Sequence, residues 1–163
     1  MNDRLERYLN DHLAGATGAL VMIDDVTARQ TDATEERFFR DLKSAVEEDR
    51  RLLKRLLKSA DLKESSVQKM AGGLTARAGR LKLLWEGMDP GELGIFEALE
   101  MLVLGIQGKR ILWLMLGDIA PLFPEWSDVD FPALERKALA QRDAVEQRRR
   151  SAGRLALAPG APV

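Results

Sequence analysis

The sequence predicts an all-α protein, a four-helix bundle with one additional crossover helix. Three observations predict it. Apolar residues recur every three or four positions almost throughout the chain, and no β-hairpin signal breaks the pattern. Capping patterns divide the chain into five helical segments. The third segment is about as long as its neighbours, so it can return the chain from one end of a bundle to the other.

The helix starts are marked by carboxylates. Asp32-x-x-Glu35, Asp61-x-x-Glu64 and Asp89-x-x-Glu92 each place an acceptor at an N-cap and a second carboxylate one turn later. Pro90 follows the last of these at the first helical position, where its missing N–H costs nothing. Asp130 and Pro132 start the final helix. The expected helices are 3–28, 33–60, 63–86, 91–119 and 131–155. "PLFPEW" (121–126) reads as a loop, because two prolines three apart do not fit inside a helix. Residues 1–157 form one domain on this reading, and 158–163 form a flexible tail.

Four helices carry a narrow stripe suited to near-aligned packing. The first reads Leu5, Leu9, His12, Ala16, Ala19, Ile23, Val26. The second reads Phe39, Leu42, Val46, Asp49, Leu53, Leu56, Ala60. The fourth reads Phe96, Leu99, Val103, Ile106, Arg110, Trp113, Gly117 and is apolar nearly all round, which predicts that it is the most buried. The fifth reads Leu134, Ala138, Gln141, Val145, Arg148, Ala152, Leu155. The third segment offers Val67, Met70, Leu74, Ala78, Leu81 and Trp85. Gly105 and Gly108, with Gly15 and Gly18 beside small neighbours, predict close helix contact. A ligand cavity between those two helices is the alternative.

Composition excludes several chemistries. The chain of 163 residues has no cysteine, so disulfides, thiol catalysis and Cys-ligated metals are absent. Its 25 basic and 26 acidic residues favour no particular partner. The basic clusters Arg50, Arg51, Lys54, Arg55, Lys58 and Arg148, Arg149, Arg150, Arg154 lie towards helix C-termini, where they complement the helix dipole. Joined on one face they could instead meet an anionic partner. Nucleic acid is not expected, since no binding motif accompanies them. "GIQGKR" (105–110) fails as a phosphate loop, with Val103 at the first glycine position and no preceding strand. The apolar run around residue 105 is interrupted by Lys109 and Arg110, so no membrane span is expected. The charged N-terminal stretch lacks a secretory h-region, and the reading is cytoplasmic.

Stretches such as "RLERYLNDHLAGATGAL", "FEALEMLVLGIQGKRILW" and "DFPALERKALAQRDAVEQRR" are similar to the ferritin-like superfamily, over about residues 3–155. More closely, the chain resembles an uncharacterised bacterial ferritin-like group. The resemblance implies a ferritin-like four-helix bundle. It would also imply a di-metal centre built from two glutamates and two Glu-x-x-His motifs. Here Glu47-x-x-Arg50, Glu48-x-x-Arg51 and Glu146-x-x-Arg149 put arginine where histidine belongs, and a guanidinium offers no lone pair. The di-metal ligand set is therefore absent.

The polar interruptions of the stripes fall at one depth. Counting outward from the first turn places His12 opposite Asp49, and the same level reaches Arg110 and Gln141. The expectation is a buried polar layer in which Arg110 pairs with Asp49, while His12 and Gln141 complete the hydrogen bonds. Arg148 could pair with Glu100 in the same manner. No catalytic residue and no cofactor are expected. If a metal binds at all, His12 and Asp49 are its ligands, too few for a tight site. Phe123, Trp126 and Phe131 either cap the open end of the bundle or form a partner surface. The expected function is that of a non-catalytic, metal-free structural or protein-interaction module, as a homodimer or with an unidentified protein. The alternatives are a divergent metal-binding oxidoreductase or iron-storage-related protein with a reduced site near His12, and a bundle that binds a small ligand or anion.

Overall fold

The computed structural model describes residues 3–65, 91–158 and 160. They form four α-helices: α1 (Asp3–Thr27), α2 (Ala33–Ser59), α3 (Gly91–Ile119) and α4 (Phe131–Leu157). Two short 3-10 turns, Ala120–Leu122 and Pro124–Trp126, join α3 to α4. The predicted crossover helix falls largely on residues 66–90, and most of the predicted tail on 159 and 161–163, outside the described residues.

The caps explain two boundaries. Asp32 accepts from the backbone N–H groups of Thr34 and Glu35 and starts α2. Asp130 accepts from Ala133 and starts α4. The predicted box at Asp61 does not form. Leu62 N–H instead reaches back to the Leu57 carbonyl, and Asp61 N–H to that of Lys58. This is a Schellman stop, with Asp61 in the left-handed region at φ 54°. Asp61 thus ends α2, and residues 62–65 run on without helix.

Helix directions follow from the core. One end gathers Leu5, Leu9 and Leu13 of α1 with Leu53, Leu56 and Leu57 of α2. Leu112, Trp113 and Leu116 of α3 and Phe131 and Ala138 of α4 join them there. The other end gathers Met22, Ile23 and Val26 with Phe39, Leu42, Val46, Ala98, Leu99, Leu102 and Val145. So α1 and α4 run one way, and α2 and α3 the other. The chain leaves α2 at the first end, called lower here, and enters α3 at the upper end.

The stripe of α2 is buried as predicted from Phe39 to Leu56, and each such aliphatic side chain stabilises the fold by about 1.5–3 kcal/mol. Helix α3 departs from expectation. Its outer face leaves Leu104 62%, Ile111 51% and Met115 43% exposed. The glycine prediction also fails in part. Among the described residues, a methyl group added at Gly18, Gly105 or Gly108 would meet nothing within 4 Å. The close approaches lie between α3 and α4 instead. A methyl group at Gly153 would sit 2.9 Å from the Phe96 ring, and one at Gly117 would sit 3.3 Å from Phe131.

The 121–126 loop caps the lower end. Trp126 and Phe131 are almost fully buried and pack with Phe123 and Trp113, as the capping alternative expects, while all four line the cavity at this end. Trp126 donates its indole N–H to the Leu56 carbonyl and the Ser59 hydroxyl, tying the loop to the last turn of α2. Phe123 stays half-exposed.

Candidate functional site

Three helices contribute to a polar layer at mid-height. Asp49 on α2 and Gln141 on α4 both face inward, as predicted. The cation between them is Lys109, not Arg110. Lys109 Nζ lies 2.6 Å from Asp49 Oδ2 and 2.5 Å from Gln141 Oε1. Arg110 turns aside and pairs with Glu135 of α4.

The reason is the order of helical steps. From Ile106 the inward face is reached after three residues, at Lys109, and again after four, at Trp113. Taking four and then three gives Arg110, which lies about 100° further round the helix. The depth is the same, so periodicity alone could not separate the two residues.

The layer is a low-dielectric site. Asp49 and Lys109 side chains are only 8% and 14% exposed. Burial holds the Lys109 ammonium below its ordinary pKa, while the adjacent Asp49 carboxylate pulls the other way. The pair satisfies the charges that isolation would make costly.

His12 lies beside this layer rather than inside it. It lines a groove between α1 and α3 together with Asp49 and Lys109. Among the described residues its contact is the edge-on ring of Tyr8, 4.7 Å away, and it makes no hydrogen bond to Asp49, Arg110 or Gln141. Burial lowers the imidazole pKa from its usual 6.5, with nearby Asp11 opposing. The unfolded chain therefore takes up this proton first as pH falls below about 6.5, and stability declines through that window. As the only histidine, His12 gives a single imidazole signal by NMR, and it is expected to titrate below 6.5. His12→Gln is expected to flatten the part of the acid-side stability loss that this group causes. A pKa at or above 6.5 would show that burial does not outweigh the pull of Asp11.

The groove has a volume of about 360 Å³. Its walls are Gly15, Ala16, Gly18, Ala19 and Met22 on α1 and Met101, Leu104, Gly105 and Gly108 on α3. Arg50 also lines it, and its Nε is buried with no hydrogen-bond partner among the described residues. A second cavity, about 760 Å³, opens at the lower end between the close of α3, the loop and α4.

One other predicted ion pair is rearranged. Arg148 holds Glu35 of α2 at 2.7 and 2.9 Å and lies 3.4 Å over the Phe38 ring, so it does not meet Glu100. Arg149 takes that neighbour at 3.7 Å, while bonding Glu146 at 2.6 and 2.8 Å. Arg149 thus neutralises the glutamate three residues before it. Among the described residues no three His, Asp or Glu side chains are placed to share a metal ion. No described helix is long and apolar enough to cross a membrane.

No family model matches the chain, and neither a curated protein nor a solved structure shows significant similarity to it.

Proposed function

We propose that this protein is a non-catalytic helical bundle of ferritin-like connectivity that serves, without a metal, as a structural or protein-interaction module. The observation that carries the reading is the Lys109 ammonium between Asp49 and Gln141. In ferritin-like carboxylate proteins a metal supplies positive charge inside the bundle. Here a covalently held cation supplies it and occupies the carboxylate that a metal would need. The Glu146–Arg149 pair supports the same reading on α4. The lower-end cavity, walled by Phe123, Pro124, Val129 and Glu135 beside exposed Leu122, supports a protein-binding role.

Metal dependence tests this. A site saturated a hundredfold above its Kd adds about 2.7 kcal/mol to stability. For a chain of this size that is roughly 5–10 °C in Tm. The expected result is substoichiometric iron and manganese after expression with both metals, and no change in Tm after chelation. A drop of that size, reversed by either metal and absent in Asp49→Ala, would establish the metal-binding oxidoreductase or storage reading instead.

A further inference from the structure

The close of α3, the loop and the start of α4 wall the lower-end cavity. Two properties of this stretch bear on what the cavity can hold. The first is charge. From Ile111 to Glu135 the sequence has five carboxylates and no lysine or arginine. Arg110 neutralises Glu135, Arg55 neutralises Asp128, and Asp130 is used as the cap of α4. Asp118 and Glu125 are exposed and have no ion-pair partner among the described residues. Asp118 lines the cavity from the last turn of α3, a turn that holds no base. Its carboxylate therefore adds to the negative end of the helix dipole instead of balancing it.

The second property is the apolar wall. Phe123 is half-exposed at the cavity, and Trp126 stacks against it at 4.2 Å with the ring planes 16° apart. A ring held on one face offers the other as a platform, and aromatic faces attract cations. Leu114, 45% exposed, lines the same cavity, and Leu122, 77% exposed, lies between two of its lining residues. The volume of about 760 Å³ is far larger than one guanidinium fills. One base opposes this pattern: Arg136 lines the cavity, exposed and without an ion-pair partner among the described residues.

We propose that the lower-end cavity is the docking site of a basic peptide segment of a partner protein, which places an arginine between Phe123 and Asp118 and leucines against Leu114 and Leu122. Arginine is the fitting base, because its planar guanidinium both stacks on rings and binds a carboxylate through two N–H groups. Complementary charge around an apolar seat sets partner choice more than raw affinity. Arg136 works against the bound cation, so its removal strengthens binding. An acidic segment would gain Arg136 alone and meet the carboxylates of Asp118, Glu125 and Asp130. The inference rests on the protein-interaction reading and narrows it to one class of partner.

The probe is a fluorescein-labelled peptide of alternating arginine and leucine, beside one of alternating glutamate and leucine. Each is titrated with the full chain in the presence of a chelator and read by fluorescence anisotropy. Expected is saturable binding of the arginine peptide alone. Asp118→Asn and Phe123→Leu are each expected to weaken it about threefold to fivefold, the range of one exposed charge pair or cation–π contact. Arg136→Gln is expected to tighten it by a similar factor, and Glu92→Gln, at the far end of α3, to leave it unchanged. Arginine-peptide binding that neither Asp118→Asn nor Phe123→Leu alters would overturn the proposal and place the attraction on another face. Glutamate-peptide binding that is lost in Arg136→Gln would also overturn it, and would leave the interaction reading standing with an acidic partner. No binding by either peptide overturns it too, and the metal-free reading falls with it only if Tm also drops on chelation.

Discussion

Replacing Lys109 by methionine is expected to destabilise the fold by about 3–5 kcal/mol, the cost of leaving a buried carboxylate without its partner. Asp49, 8% exposed, would lose the ammonium at 2.6 Å, and Gln141 would lose its donor. The methionine fills similar volume, so the loss is electrostatic rather than steric. Adding Asp49→Leu removes the stranded charge and is expected to restore most of the stability. Urea unfolding of the two single variants and the double variant measures the coupling directly. A loss below about 1 kcal/mol in Lys109→Met would show that water reaches the pair and that it behaves as a surface ion pair.

The same residue has a pH signature. Its folded pKa lies below the ordinary lysine value of about 10.4, so between the two the unfolded chain binds more protons. Stability therefore rises with pH through that alkaline window, and this contribution disappears in Lys109→Met. The contrast with His12 is useful: both groups are held low by burial, but they act on opposite sides of neutrality.

Trp126→Ala is expected to cost about 3–5 kcal/mol, the usual range for emptying a large aromatic site. Trp126 is 1% exposed and is the point where the loop meets the core. Its loss also takes one donor from the Leu56 carbonyl and from the Ser59 hydroxyl at the end of α2 and removes the ring that stacks on Phe123 at 4.2 Å. Trp126→Phe keeps most of the apolar area and drops the hydrogen bonds, so about 1–2 kcal/mol is expected. Chemical denaturation of both variants separates the two contributions. Near-equal losses would mean that the hydrogen bonds dominate the site and the ring area does not.

Much of the architecture was legible in the sequence because helix periodicity and caps are local signals. Asp32 and Asp130 cap as their spacing implies, and the buried face of α2 matches its stripe almost residue for residue. Asp61 misleads because an aspartate tolerates the left-handed conformation and can stop a helix as well as start one. Asp49 and Gln141 could be placed by counting levels, since depth along a bundle is set by residue number. The cation between them could not. Lys109 and Arg110 share a depth, and the choice between them depends on how α3 rotates to pack against α4. Trp126 and Phe131 were equally legible as a cap or as an interface. Which one holds is a property of the partner surface beneath them, the end of α2, and that is a tertiary fact. Arg148 and Arg149 differ by one position, and each took a neighbour that the register of α4 supplied.

The helix directions also bear on how the chain finds its fold. α1 with α2, and α3 with α4, are antiparallel pairs formed by segments adjacent in sequence and joined by short turns. Their contacts are local, the class that forms fastest in small proteins. Joining one pair to the other closes a much longer loop, yet each doubling of loop length adds only about 0.6 kcal/mol of closure entropy. Two hairpins that assemble early and dock late are the folding order this topology favours. The Lys109–Asp49–Gln141 layer, which draws on both hairpins, is completed only at that docking step.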